Sequence, residues 1–72
     1  MEYGEKIRYL REINKMTQAE MAKILQKSQQ GYSHLENGKA RLSIDDLKTI
    51  CEFYNISADF ILGLPPTLKY PR

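Results

Sequence analysis

Apolar residues along this chain recur every three to four positions and never alternate, which is the period of helices with one buried face. Ile7, Leu10 and Ile13 share a face of a first helix over about 3–14, closed by Asn14 and Lys15. Met21, Ala22, Ile24 and Leu25 make the stripe of a second, over about 18–26. Tyr32 and Leu35 are the inward pair of a third, over about 29–37. Ile44, Leu47, Ile50, Cys51 and Tyr54 run down a fourth, which Asn55 breaks, and Ala58 to about Leu62 forms a short fifth. Met21, Tyr32, Leu35, Ile50, Cys51, Tyr54 and Phe60 are expected in the core. Cys51, on an apolar face, reads as a small buried hydrophobe.

Local signals agree with these boundaries. Thr17 followed by Glu20 forms a capping box before helix 2, and Ser43 followed by Asp46 has the same spacing before helix 4. Ser28 and Ser57 cap helices 3 and 5, and Gly38 and Gly63 can end them in a left-handed conformation. Pro65, Pro66 and Pro71 imply an extended tail. The expectation is an all-α fold with one domain over 1–63 and a tail over 64–72.

With 72 residues, the chain can form only one small core, supplying roughly 3–5 kcal/mol. A single cysteine excludes an internal disulfide framework, and Cys51 and His34 alone cannot build a dedicated zinc site. No apolar run approaches the roughly 20 residues that span a bilayer. The start, MEYGEKIRYL, lacks a signal peptide's basic head and apolar stretch. A soluble cytoplasmic protein without cofactor is the expectation. No Ser–His–acid, paired-carboxylate or phosphate-loop arrangement supports catalysis, and Asp45-Asp46 reads as a helix cap.

Net charge is only +2, but its distribution is uneven. Residues 23–42 carry Lys23, Lys27, Lys39 and Arg41 against Glu36, while residues 43–63 carry Asp45, Asp46, Glu52 and Asp59 against Lys48. Helix 3 therefore lies in the basic part of the chain, as a phosphate-facing surface requires. It also carries Gln29, Gln30, Ser33 and His34 away from its apolar pair. A glutamine amide can bond adenine N6 and N7 together. Taken alone, two glutamines on a surface helix read equally well as solvated residues. Lys39 and Arg41 on the following loop suit phosphates as point charges; Lys27 is a weaker candidate of the same kind.

Arg11, Thr17-Gln18, Met21-Ala22, Leu25, Ser28, Tyr32-Ser33, Glu36, Gly38-Lys39 and Ser43 stand at fixed distances without gaps. Together with Ser57-Ala58-Asp59-Phe60-Ile61-Leu62-Gly63 they resemble the Cro/repressor type of helix-turn-helix protein, the Xre family. The resemblance implies a five-helix domain that reads the major groove of duplex DNA with helix 3. It implies base contacts from Gln29, Gln30, Ser33 and His34, and phosphate contacts from Gln18, Lys27, Lys39 and Arg41. It also implies a structural ion pair between Arg11 and Glu36. The implied role is transcriptional regulation, with repression expected, by a homodimer on a palindromic operator. The alternative within the same fold is an antitoxin or protein-interaction module, its partner held by the apolar tail (Leu62, Leu64, Leu68, Tyr70). The turn departs from the family pattern, with Gln26-Lys27 where Gly-Val is usual, and Gly31 lies inside helix 3.

Overall fold

Short polar side chains start four of the five helices. The computed structural model describes residues 2–65, 67 and 68, and its elements are α1 (Tyr3–Ile13), α2 (Gln18–Ile24), α3 (Gln29–Glu36), α4 (Ile44–Tyr54) and α5 (Ala58–Leu62), with no strand among the described residues. Thr17 Oγ1 accepts from the Glu20 N–H at 3.1 Å, and Glu20 Oε1 accepts from the Thr17 N–H at 2.8 Å, so the first capping box is complete. Ser28, Ser43 and Ser57 each accept a backbone N–H of the following turn. The expected box at Ser43 is only half made. Asp46 donates its N–H to Ser43 Oγ, but its carboxylate turns to Lys27 instead.

All five helices stop the same way, at a residue with positive φ: Lys15, Gln26, Gly38, Asn55 and Gly63. In each case the next N–H reaches back to the final turn, as when Met16 donates to the Arg11 carbonyl at 3.0 Å and Lys27 to that of Ala22 at 2.8 Å. Gln26 thus takes the left-handed position that glycine would occupy without strain.

The core is built from Ile7, Leu10, Met21, Ala22, Leu25, Tyr32, Leu35, Ile50 and Ile61. Cys51 and Tyr54 pack against it while partly buried. Burial pushes the Cys51 thiol up, and it pushes the Tyr54 phenol to about 12. One expected core residue, Phe60, and two residues of the expected apolar stripes, Ile13 and Ile44, lie outside. Ile13 is 55% exposed and Ile44 84%. Each ends a run spaced three and three, and every step of three drifts by about 60° around a helix of 3.6 residues per turn. Phe60 is 44% exposed because its neighbour Ile61 takes the inward position of the five-residue α5. Its ring instead lies under Lys6 Nζ, 5.6 Å from the centroid. Leu68 donates its N–H to the Pro65 carbonyl at 3.3 Å, which bends the chain where extension was expected. The rest of the expected tail, Pro66 and residues 69–72 with Tyr70, lies outside the described residues.

Two contacts fix α3 against α1. At Gly4, a Cβ would stand 2.6 Å from the carbonyl oxygens of both Leu35 and Glu36, so α1 crosses the end of α3 backbone to backbone. At that same end the Glu36 side chain is 1% exposed. Its Oε2 accepts from Arg11 Nε at 2.7 Å, and its Oε1 accepts from Arg11 Nη2 at 3.1 Å and Gln18 Nε2 at 3.0 Å. Arg11 Nη1 donates to the Met16 carbonyl at 3.0 Å. Burial opposes ionisation of Glu36, but the donors Arg11 and Gln18, with the Tyr32 hydroxyl close by, outweigh it and hold the carboxyl below the usual carboxylate range.

The Arg11–Glu36 pair and the Gly4 crossing each bear on stability. Arg11→Ala leaves Glu36 buried without its partner, a loss of about 3–5 kcal/mol, as large as the stability a core of this size supplies. Circular dichroism at 25 °C should then show a largely unfolded chain. Because the folded carboxyl titrates lower than the unfolded one, its contribution is complete above the ordinary carboxylate value and is lost as pH falls through the lowered one. Urea midpoints should fall over that acid range, and Glu36→Gln should flatten this part of the fall. Separately, Gly4→Ala should cost about 1–3 kcal/mol in urea melts, because a backbone rather than a flexible side chain must move. An unchanged midpoint would mean that the helices separate freely there.

Candidate nucleic-acid interface

The buried residues of α3 decide which face it presents. Tyr32, Leu35 and Glu36 point inward. At about 100° per residue, Gln30, His34 and Asn37 stand opposite them, with Ser33 close by. Gln29 lies at the edge of this face, on the side of Glu36. Gln29 and Gln30 are exposed in the first turn, and Ser33 and His34 are half-buried. Asn37 is exposed and its Nδ2 donates to Ser33 Oγ at 3.4 Å. Asn37 is not among the residues expected there from sequence, although its spacing of seven from Gln30 and four from Ser33 marks it as part of the same face.

Gly31, inside this helix, is half-buried, and a Cβ there would approach the capping Ser28 Oγ to 3.1 Å. The α3 stop is a full reverse turn. Gly38 at φ 75° lets the Lys39 and Ala40 N–H groups donate to the His34 carbonyl at 2.9 and 3.2 Å. The Tyr3 hydroxyl then donates to the Ala40 carbonyl at 3.1 Å, which ties the loop to α1. Lys39 and Arg41 are both exposed on this loop. The loop must also run back along α3. It leaves the C-terminal end of that helix, and α4 begins where Asp46 meets Lys27, beside the N-terminal end.

The remaining candidates are already engaged. Gln18, first residue of α2, spends one amide hydrogen on Glu36 and keeps a second. Lys27 Nζ lies 3.0 Å from Asp46 Oδ2, with side chains 35% and 15% exposed. Arg11 and Glu36 meet in the buried pair that orients α3. A pocket of about 340 Å³ opens between the start of α1 and the end of α3, lined by Glu2, Glu5 and Asn37 among others. Three acidic residues in its lining, Glu2, Glu5 and Glu36, make it a poor seat for phosphate. Among the described residues no three His, Cys, Asp or Glu side chains cluster as metal ligands, and no helix is long and apolar enough to cross a membrane.

A helix-turn-helix family model matches residues 7–61, from the middle of α1 into α5. The chain is 34% identical over 63 residues to the HTH-type transcriptional activator BcrR of Enterococcus faecalis, covering 88% of this chain and 31% of that protein. It is 35% identical over 60 residues to the antitoxin PezA of Streptococcus pneumoniae serotype 4, covering 83% of this chain and 38% of that one. It therefore spans about a third of the length of these relatives. No solved structure matches it significantly. The five helices, the α2–α3 turn and the matched span agree: the chain belongs to the Xre-type, Cro/repressor-like helix-turn-helix family.

Proposed function

We propose that the chain binds duplex DNA sequence-specifically as a transcriptional regulator, with α3 in the major groove. One observation carries this reading. The face of α3 opposite Tyr32, Leu35 and Glu36 is made of hydrogen-bonding side chains held on a helix whose angle is fixed at its C-terminal end by the Gly4 crossing and the Arg11–Glu36 pair. Gln29, Gln30, Ser33 and His34 supply the donors and acceptors that base edges require. Lys39 and Arg41 lie on the loop that runs beside this helix and serve as phosphate contacts, with the second amide hydrogen of Gln18 as another.

One such domain reads few base pairs, so selective binding calls for a twofold dimer on a palindrome, with two copies of α3 roughly 34 Å apart. The domain over 1–63 supplies the DNA surface, and the tail from 64 supplies contacts to the second copy. Repression is the favoured sign of regulation, since occupancy of a site needs nothing beyond this surface, and the place of action is the cytoplasm. A second reading, protein partnership of the kind an antitoxin name implies, draws on the exposure of Leu62, Leu64 and Leu68 and on the PezA likeness.

Selection of sites from random duplex DNA, followed by binding measured at several salt concentrations, tests the proposal. Lys39→Ala should weaken all sequences alike and lower the salt slope by about 1. Gln29→Ala or Gln30→Ala should cost roughly 1–3 kcal/mol on the selected site and little on random DNA. Binding that ignores salt, or equal losses on both duplexes, would rule out this mode of readout. Removing residues 64–72 should reduce dimer formation in sedimentation and cooperative binding to the palindrome while helical content is kept. A truncated chain that dimerises as before would move the interface elsewhere.

A further inference from the structure

We propose that Asp46 is a specificity-determining residue, which withholds Lys27 from DNA by keeping it in an intramolecular pair. This rests on the DNA-binding reading. Lys27 stands two residues before Gln29, at the turn that leads into α3, where a free cation would meet the phosphates flanking the bases. Its Nζ is instead 3.0 Å from Asp46 Oδ2.

Both partners are held from behind. The Lys27 N–H donates to the Ala22 carbonyl at 2.8 Å, in the stop created by the left-handed Gln26. The Asp46 N–H donates to Ser43 Oγ at 3.0 Å. The Asp46 carboxylate stands at the capping-box position, yet it leaves the Ser43 N–H and reaches across to the other element. Its side chain is 15% exposed, so turning Lys27 to a phosphate would strand a largely desolvated carboxylate. The lysine therefore stays with Asp46.

Non-specific affinity follows the number of phosphates neutralised, whereas base readout by Gln29 and Gln30 does not. Withholding one cation lowers binding to random DNA and widens the gap between the chosen site and all others. The cost of a polar residue in the turn, where the family places an apolar one, is thereby matched by a gain in selectivity.

The test compares wild type, Asp46→Asn, Lys27→Gln and the double variant, each checked for folding by circular dichroism. Binding to a random duplex and to the selected site is measured by fluorescence anisotropy over a salt series. Asp46→Asn should steepen the slope of log K against log salt by about 0.9 and tighten random binding several-fold, with a smaller ratio between the two duplexes. Lys27→Gln alone should leave the slope at its wild-type value, and the double variant should return to it. A lower slope for Lys27→Gln alone would mean that the lysine already reaches phosphate. A double variant that keeps the steep slope would mean that Asp46 acts by general repulsion. Either result, or an unchanged slope for Asp46→Asn, overturns the inference while leaving DNA binding standing. If Asp46→Asn does not fold, Lys27→Gln decides alone on the same criterion. A wild type that binds neither duplex overturns both readings together.

Discussion

A carboxylate with 1% exposure cannot remain charged on its own, and Glu36 is the place where three helices meet to satisfy one. Arg11 arrives from α1 with two parallel donors, and Gln18 arrives from the first turn of α2 with a third. The same guanidinium also closes the α1–α2 corner through the Met16 carbonyl. Tyr32, one turn earlier on α3, places its hydroxyl beside this carboxylate without a bond of good geometry. Burial first, and then the Glu36 charge, push the phenol up and keep it neutral. The direction of α3 is thus set by the need to pair one buried charge, while apolar packing, which is non-directional, supplies most of the favourable energy.

That arrangement links the interior to the surface that would meet DNA. Gln18 is at once a member of the Glu36 cluster and an exposed-side amide with a hydrogen to spare. A change at Gln18 would therefore act on both the orientation of α3 and any contact made beyond it, and its effect could not be assigned to one. Lys39 and Arg41 have no such double role. They stand on a loop secured by the His34 carbonyl at one end and by the Tyr3 hydroxyl in its middle, and neither charge pairs with an acidic side chain among the described residues.

Signals contained in a few consecutive residues are legible in the sequence. The capping box of Thr17 and Glu20, the serine starts, and the stops at Gly38, Asn55 and Gly63 all rest on local hydrogen bonding. What escaped depends on distant partners or on small angular drift. Ile13 and Ile44 fit an apolar stripe by count and leave it by rotation. Gly4 carries no local sign that another helix will cross over it. Lys15 accepts a left-handed stop that no glycine announces. The Lys27–Asp46 pair joins residues whose separate readings, a phosphate contact and a helix cap, were each complete without the other. Arg11 and Glu36 are paired only through the family resemblance, since nothing across a separation of 25 positions points from one to the other.

The exposed chemistry is segregated by element. None of the large exposed hydrophobic residues lies on α3, whereas Phe60, Leu62, Leu64 and Leu68 follow one another from α5 onward. A groove lined with phosphates rewards hydrogen bonding and positive charge, and water-shy surface there would add little. An apolar patch at the end of the domain is suited to another protein surface, a second copy included. Separate elements for the two tasks would let association be strengthened or weakened at α5 and beyond while Glu36, Arg11 and Gly4 go on holding the α3 angle unchanged.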